Sequence, residues 1–589
     1  MIKMITMAYR LSALLLIFTI IFPFSCKQGV IEENDEIHIR LKKDPERLHP
    51  LIFPNPLARE VYQYIHLPLA DFHPEDLSFS PVLIKTIPAK TLITEGRWKG
   101  GVRFDIEILE DAVWENNSPV TGNDILFTVK SVMLPLTNTA RYRESMQYIT
   151  DIEIDPENPK KCSIILSEDH MSAMEIALNF EIYPAYFYDS DNTLSRLNLT
   201  NLKDDTTYLS EVLQDSSFIK FSEAFNGQKY SSEMISGAGP YRFAGWESDQ
   251  YIMLEKKQNY WGNRYSFPSL KQNPDKIVFS IIPDELSAML QLKEGKIDVM
   301  NEVSSDAFEE LKNDKQYTSK FHFFTPQLNK YYCILINNAD PKLQDVKIRK
   351  ALNHLLDVDK IIQTLENGHG KRLFSPVHPN KPYYLKSLAP IKFDISTASK
   401  LIKEAGWSDS NKNGIADKLI DGTLQELKLD IYITGQELGK RVALLLQESA
   451  IKSGIEINIV EKDMKLIRAE NIKTRNYHLL PTVISYDHNL WDDLKPRWHS
   501  TSDSPSGAND ISYHNEAADK LLDEILNEEN AEKRTMLYQR LQKIIYEDYP
   551  VIFMYVPMER IIVGKNWNAN ASMKRPGYAV NTFELVEAK

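Results

Sequence analysis

Acyl transfer is the first chemistry to test in this chain. Ser217-Phe218-Ile219-Lys220 fits the S-x-x-K spacing in which a lysine sits one helical turn from a serine nucleophile, and Ser190-Asp191-Asn192 fits the S-D-N that accompanies it. The S-D-N comes first here, no Lys-Thr-Gly follows, and such short patterns arise by chance in 589 residues. There is no G-x-S-x-G or H-E-x-x-H, and the thirteen histidines are scattered without ligand spacing. Asp409, Asn411, Asn413, Gly414 and Asp417 copy the first nine positions of a calcium loop, but the twelfth is Ile420 rather than a bidentate glutamate. A hydrogen-bonded Asx turn accounts for the same residues. Gly237-Ala238-Gly239-Pro240 is a glycine turn with no Gly-Lys-Ser/Thr after it, so phosphate cradling is excluded. The chain is expected to be a binder rather than an enzyme, with no cofactor and no resident metal.

The elements that would position a binding site read as α/β. The run 331–336 (YYCILI) is a buried strand, 337–342 a polar turn, and Asp345 the cap of a helix with Ile348, Ala351, Leu352 and Leu355 on one face. Asp357 caps a second helix. Strands are expected near 37–41, 102–109, 277–282 and 427–432, and helices over 59–69, 284–293, 438–453 and 532–547. Residues 183–228, rich in Asp, Ser, Thr and Asn, read as long surface connections. The unit 427–457, strand then helix then Gly454 then strand, predicts parallel pairing. The length requires two or three domains. A net charge of −13 argues against nucleic acid as a partner. Cys162 and Cys333 sit in apolar runs and read as buried thiols.

Several of these stretches together resemble one family. Asn337-Asn338, then Asp345-Val346-Lys347-Ile348-Arg349-Lys350-Ala351-Leu352, then Asp357, is similar to the signature of the family-5 extracellular solute-binding proteins, the ligand-capturing subunits of ABC importers. Val113, Trp114, Pro119, Val120, Thr121, Asp124, Ile125 and Phe127 match a second motif of that family. Further matches are Gly237 to Tyr241, 393–407, and Arg534, Leu537, Tyr538, Leu541 and Gln542, all in the family's order. The resemblance implies a two-lobed periplasmic-binding-protein-like (type II) fold with a third small α+β subdomain. Its implied layout is 37–70 first lobe, 71–212 small subdomain, 213–328 first lobe again, 329–550 second lobe, and 551–589 returning to the first.

The resemblance also implies a function. A peptide would be held extended in the cleft between the lobes and delivered to a membrane permease. Relatives within the class bind nickel chelates, haem or oligosaccharides, and a sensor without transport is a further alternative. Counted back from His499-Ser500, the family's ammonium-binding aspartate falls within one residue of Asp487, the acid the resemblance assigns to that role; a solvated loop acid is the other reading of that residue. The implied ligand-binding set is Asp487 with Ser485, Tyr486, Trp491, Tyr332, Asn509 and His49.

The start of the chain carries an address. Lys3 and Arg10 precede an apolar run over 11–22, long enough for a signal h-region and short of the ~20 residues that span a bilayer. Phe24-Ser25-Cys26 resembles a lipobox. Residues 1–25 are expected to be a signal peptide, Cys26 a lipidated anchor, and 26–36 a tether. The mature protein is expected to be a monomer on the cell envelope.

Overall fold

A computed structural model describes residues 35–52, 55–486 and 489–586. Cys26 and the expected signal peptide lie outside the described residues, as does Asp487. From Glu36 onward the chain builds three layered regions. The first lobe holds a seven-stranded sheet in the order Phe321–Phe324, Ile561–Gly564, Val299–Met300, Glu36–Leu41, Lys276–Ile281, Tyr251–Lys256, Tyr241–Glu247. The second lobe holds a six-stranded sheet in the order Gly370–Arg372, Val551–Pro557, Lys330–Ile336, Leu479–Ser485, Lys428–Ile433, Glu456–Glu461. A small four-stranded sheet is built from Lys90–Leu92, Val102–Glu107, Lys161–Leu166 and Ile149–Ile154.

The strand Lys330–Ile336 shows why its sequence is apolar throughout. Ile334 and Ile336 join one buried cluster, while Tyr331, Cys333 and Leu335 join another on the opposite face. A sheet covered on both faces needs apolar residues at every position rather than alternate ones. The helix Val346–Leu355 covers one face with Ile348, Ala351, Leu352 and Leu355, and the Asp345 carboxylate accepts from the Lys347 N–H at 2.8 Å. Asn337 and Asn338 gather loose strand ends. Their amides donate to the carbonyls of Arg475 and Tyr477, and of Ile511 and Pro550, at 2.9 to 3.1 Å. The strands Lys428–Ile433 and Glu456–Glu461 pair in parallel across the helix Glu437–Ile451, as the strand-helix-Gly-strand pattern predicts.

The small sheet packs on the helix Gly122–Met133. Asp124 accepts from the Thr121 N–H at 2.9 Å and from the Ala185 N–H at 3.1 Å, so this motif residue ties two elements together. Gly237 and Gly239 lie against the backbone of Tyr64 and Ile65. A Cβ at either would come within 2.5 Å of a carbonyl oxygen there. Asp409 accepts from the N–H groups of Asn413 and Gly414 at 3.0 and 2.9 Å, which is an Asx-type turn.

Two expectations are corrected. Residues 183–228 are not long connections. They form the helices Ala185–Tyr188, Leu199–Asp204, Thr206–Gln214 and Ser216–Asn226 and a 3-10 turn Thr193–Arg196. Asn198, Asp205 and Asp215, which suggested loops, are helix caps. Phe218, Phe221 and Phe225 enter the same buried cluster as the small sheet, so that region extends past residue 212. The strand Val551–Pro557 also belongs to the second sheet, not the first, because it pairs with Lys330–Ile336. The chain returns to the first lobe only after Pro557. Ser217, of the S-x-x-K pattern, donates its N–H and hydroxyl to the capping Asp215, and Lys220 is exposed.

The two lobes meet at two crossings, 325–329 and 558–560, that pair with each other. The Glu559 N–H donates to Pro326 O at 2.8 Å and the Leu328 N–H to Pro557 O at 2.9 Å. Arg560 spans the joint: its Nε donates to Val303 O of the first lobe at 2.6 Å and its guanidinium to Glu366 of the second at 3.1 Å. Tyr555 Oη donates to the other Glu366 oxygen at 2.8 Å. Arg560→Ala leaves a buried carboxylate with one partner. It is expected to lower stability by about 3 kcal/mol in urea unfolding; a loss below ~0.5 kcal/mol, the range of ordinary surface substitutions, would contradict this account.

Candidate functional site

A cleft of about 1560 Å³ lies between the lobes and the small region. The first lobe supplies the helix Pro56–Tyr62, which Asn55 starts by accepting from the Leu57 N–H at 2.9 Å. That helix places Arg59 and Glu60 on the cleft wall. The small region adds Glu175, and the second lobe adds Lys330, Tyr331, Ser485, Tyr486 and Arg497.

Three acids gather at the first-lobe wall. Glu60, Glu302 and Glu559 all line the cleft. Burial pushes the Glu60 carboxyl up from 4.5 to about 8, the neighbouring Glu302 adds to this, and hydrogen bonds from Tyr578 and Asn301 oppose it. Burial likewise raises Glu559. Lys330, at the crossing, is lowered first by burial and then by Arg575, with the carboxylates pulling the other way.

On the other wall, Tyr486 is held by the crossing itself. Its N–H donates to Asn329 O at 3.0 Å, and Asn329 Nδ2 donates to Tyr486 O at 2.9 Å. Its ring lies 5.1 Å from those of Tyr331 and His378. The following loop is anchored from three sides. Glu175 accepts from the Leu490 N–H at 3.0 Å, reaching across from the small region. Lys381 donates to Asn489 O and pairs with Asp492 at 3.1 Å. The Asp492 N–H donates to Tyr383 Oη at 2.9 Å.

Of the expected ligand residues, the structure brings Ser485 and Tyr486 together on the cleft wall. Asp487 lies outside the described residues, between Tyr486 and the cleft-lining Asn489 in sequence. The other four stand elsewhere. His49 is 1% exposed and packs on Tyr183, Tyr188 and Phe225. Asn509 is fully buried and its amide closes a turn onto the carbonyls of His499 and Tyr513. Trp491 stacks between Tyr383 and Arg534 in the second-lobe core. Tyr332 packs on Tyr555, and its neighbour Tyr331 takes the cleft face instead.

Sequence reasoning missed Arg59, Glu60, Glu175, Glu302, Lys330 and Glu559. Their only sequence signal is charge within elements otherwise spent on packing.

This cleft between two crossing-linked lobes can now be set beside known proteins. The residue pattern of the bacterial extracellular solute-binding proteins, family 5 (middle), matches residues 93–504. The chain belongs to this family. Family-5 solute-binding proteins serve ABC importers and are not enzymes. The oligopeptide-binding protein AppA of Bacillus subtilis is 24% identical over 469 residues, covering 79% of this chain and 78% of that protein. The structure of Bacillus subtilis AppA in complex with a nonapeptide aligns with a TM-score of 0.64 at 19% identity, over 94% of this chain and 99% of that one. NikZ from Campylobacter jejuni in complex with Ni(L-His) aligns with a TM-score of 0.65 at 20% identity, over 94% and 99%. The two-lobed α/β type II fold is thus shared with proteins solved with different ligands. Among the described residues no helix is long and apolar enough to cross a membrane.

The acid wall makes stability depend on pH. A carboxyl raised from 4.5 to about 8 on folding contributes favourably below pH ~4.5. That contribution is lost as pH rises through about 8. Glu60→Gln removes the loss, so between about pH 4.5 and pH 8 the variant should gain on the order of 3 kcal/mol relative to wild type. Urea midpoints for both proteins at the two ends of this range check it; parallel profiles would mean that folding leaves the Glu60 carboxyl unshifted.

Proposed function

We propose that this protein captures peptides in the cleft and delivers them to a membrane permease pair. The observation that carries the reading is the size and lining of the cleft. At about 1560 Å³ it exceeds the ~300–1,000 Å³ that a drug-sized ligand fills, and it carries both signs of charge along its length. An extended peptide presents main-chain donors and acceptors whatever its sequence, which suits such a site. The likeness to the oligopeptide-binding relative supports the same ligand class.

In this reading Asp487 pairs with the ligand's ammonium, since a buried ammonium requires an anionic partner. Ser485 and Tyr486 form the adjoining wall. The lobes close by bending at the two crossings, and the Glu175–Leu490 contact lets the small region move with the second lobe. Cys26 carries the lipid that holds a monomeric protein on the envelope surface. The chief rival is a non-peptide ligand, such as a nickel–histidine chelate, haem or an oligosaccharide, in the same cleft. A sensor without transport is the other.

A thermal-shift and native-mass screen on protein starting at Lys27 separates these. A peptide at a hundredfold its dissociation constant should stabilise by about 2.7 kcal/mol, and Asp487→Ala should abolish that shift. Stabilisation by the chelate, haem or oligosaccharide alone would replace the peptide reading.

A further inference from the structure

A side pocket of about 230 Å³ adjoins the cleft. Arg59, Tyr62 and Tyr142 line both spaces, so the pocket opens from the cleft wall. Its interior is polar and unusually short of partners. His66 is 2% exposed, and neither ring nitrogen is hydrogen-bonded. Arg59, Glu181, Tyr62 and Tyr142 also line this space, and the Glu181 carboxylate accepts from its own backbone N–H. Buried polar groups in proteins are almost always satisfied by protein, water or ligand. A pocket that holds a buried His66 with both ring nitrogens unpartnered, beside Arg59 and Glu181, is therefore built to receive a polar group of side-chain size.

The charges say which group. Lys574 and Asp71 pair with each other directly and neutralise one another. Arg59 and Glu181 do not form a direct ion pair, yet burial pushes the Glu181 carboxyl up while the Arg59 guanidinium opposes it. Arg575 stands exposed at the rim, outside this pair. The inner pocket thus presents one cation and one anion that act on each other without direct contact. An incoming carboxylate would meet Glu181, and an incoming ammonium would meet Arg59, each with little water to screen it. A carboxamide avoids both: its oxygen is a pure acceptor and its nitrogen a double donor.

We propose that this side pocket selects ligands bearing an uncharged carboxamide, the side chain of glutamine or asparagine, with its oxygen on Arg59 and its nitrogen on Glu181. The proposal rests on the peptide reading above and names one side-chain preference within it.

The test is calorimetric titration of the full mature chain with alanine pentapeptides carrying Gln, Glu, Lys or Met at each position in turn. At one position Gln should bind about tenfold or more tighter than Glu, Lys and Met. Glu181→Gln leaves Arg59 unopposed and should turn that preference toward Glu. Arg59→Gln should turn it toward Lys. A purely structural role would weaken all peptides alike and reverse nothing. Melting curves establish that each variant folds; if one does not, the wild-type series and the other variant still decide. If wild type binds no peptide, the peptide reading falls and this proposal with it. If peptides bind but no position prefers Gln over Glu and Met, or both variants keep the wild-type order, the side-chain assignment alone is overturned.

Discussion

The pairing of the two crossings with each other constrains everything around them. Each crossing is only a few residues long, and their backbones hydrogen-bond side by side between Pro326–Leu328 and Pro557–Glu559. Two lobes linked by paired crossings can bend about the line across both, the hinge class of domain movement. Tyr486 is bonded to Asn329 of one crossing, so a residue of the cleft wall is fixed to the axis itself. Lys330 and Glu559, at the crossings, put opposite charges beside the same axis. The crossings and the cleft wall therefore share residues rather than being joined through a long relay.

Much of the fold was legible because its signals are local. Asp345 and the Ile348, Ala351, Leu352, Leu355 face lie within one helix and its cap. Thr121 and Asp124 lie within one turn. The parallel pair around the helix Glu437–Ile451 follows from the short connection at Gly454. Composition misled where polar residues did a structural task. The acids and amides of 183–228 are caps of short helices whose phenylalanines face inward, and the cap residues hid the periodicity.

The site was less legible, for two physical reasons. Its charged residues come from separate stretches, Arg59 and Glu60 near the start, Glu175 and Glu302 in between, Glu559 near the end, and no local pattern links them. The second reason is parity. In a strand apolar on both faces, such as Lys330–Ile336, nothing in the run says which of Tyr331 and Tyr332 faces the cleft. His49 and Asn509 fail differently: both are polar residues used to fill or close the interior, which motif position alone does not distinguish from ligand contact. Ser485 and Tyr486 do line the cleft, at a strand end before the anchored loop that is itself a sequence landmark.

The order of strands in the first-lobe sheet has a consequence for how the chain is made. Ile561–Gly564 lies between Val299–Met300 and Phe321–Phe324, not at an edge. Until residues past 560 have left the ribosome, that sheet is missing an interior strand and presents two unpaired edges that invite association with other chains. The second-lobe sheet waits in the same way, because its interior strand Val551–Pro557 precedes Ile561–Gly564 by only a few residues. During synthesis neither sheet can therefore close until the strands on both sides of the second crossing have emerged, although the first lobe begins with Glu36–Leu41. A nascent chain stopped short of residue 551 lacks an interior strand in both lobes.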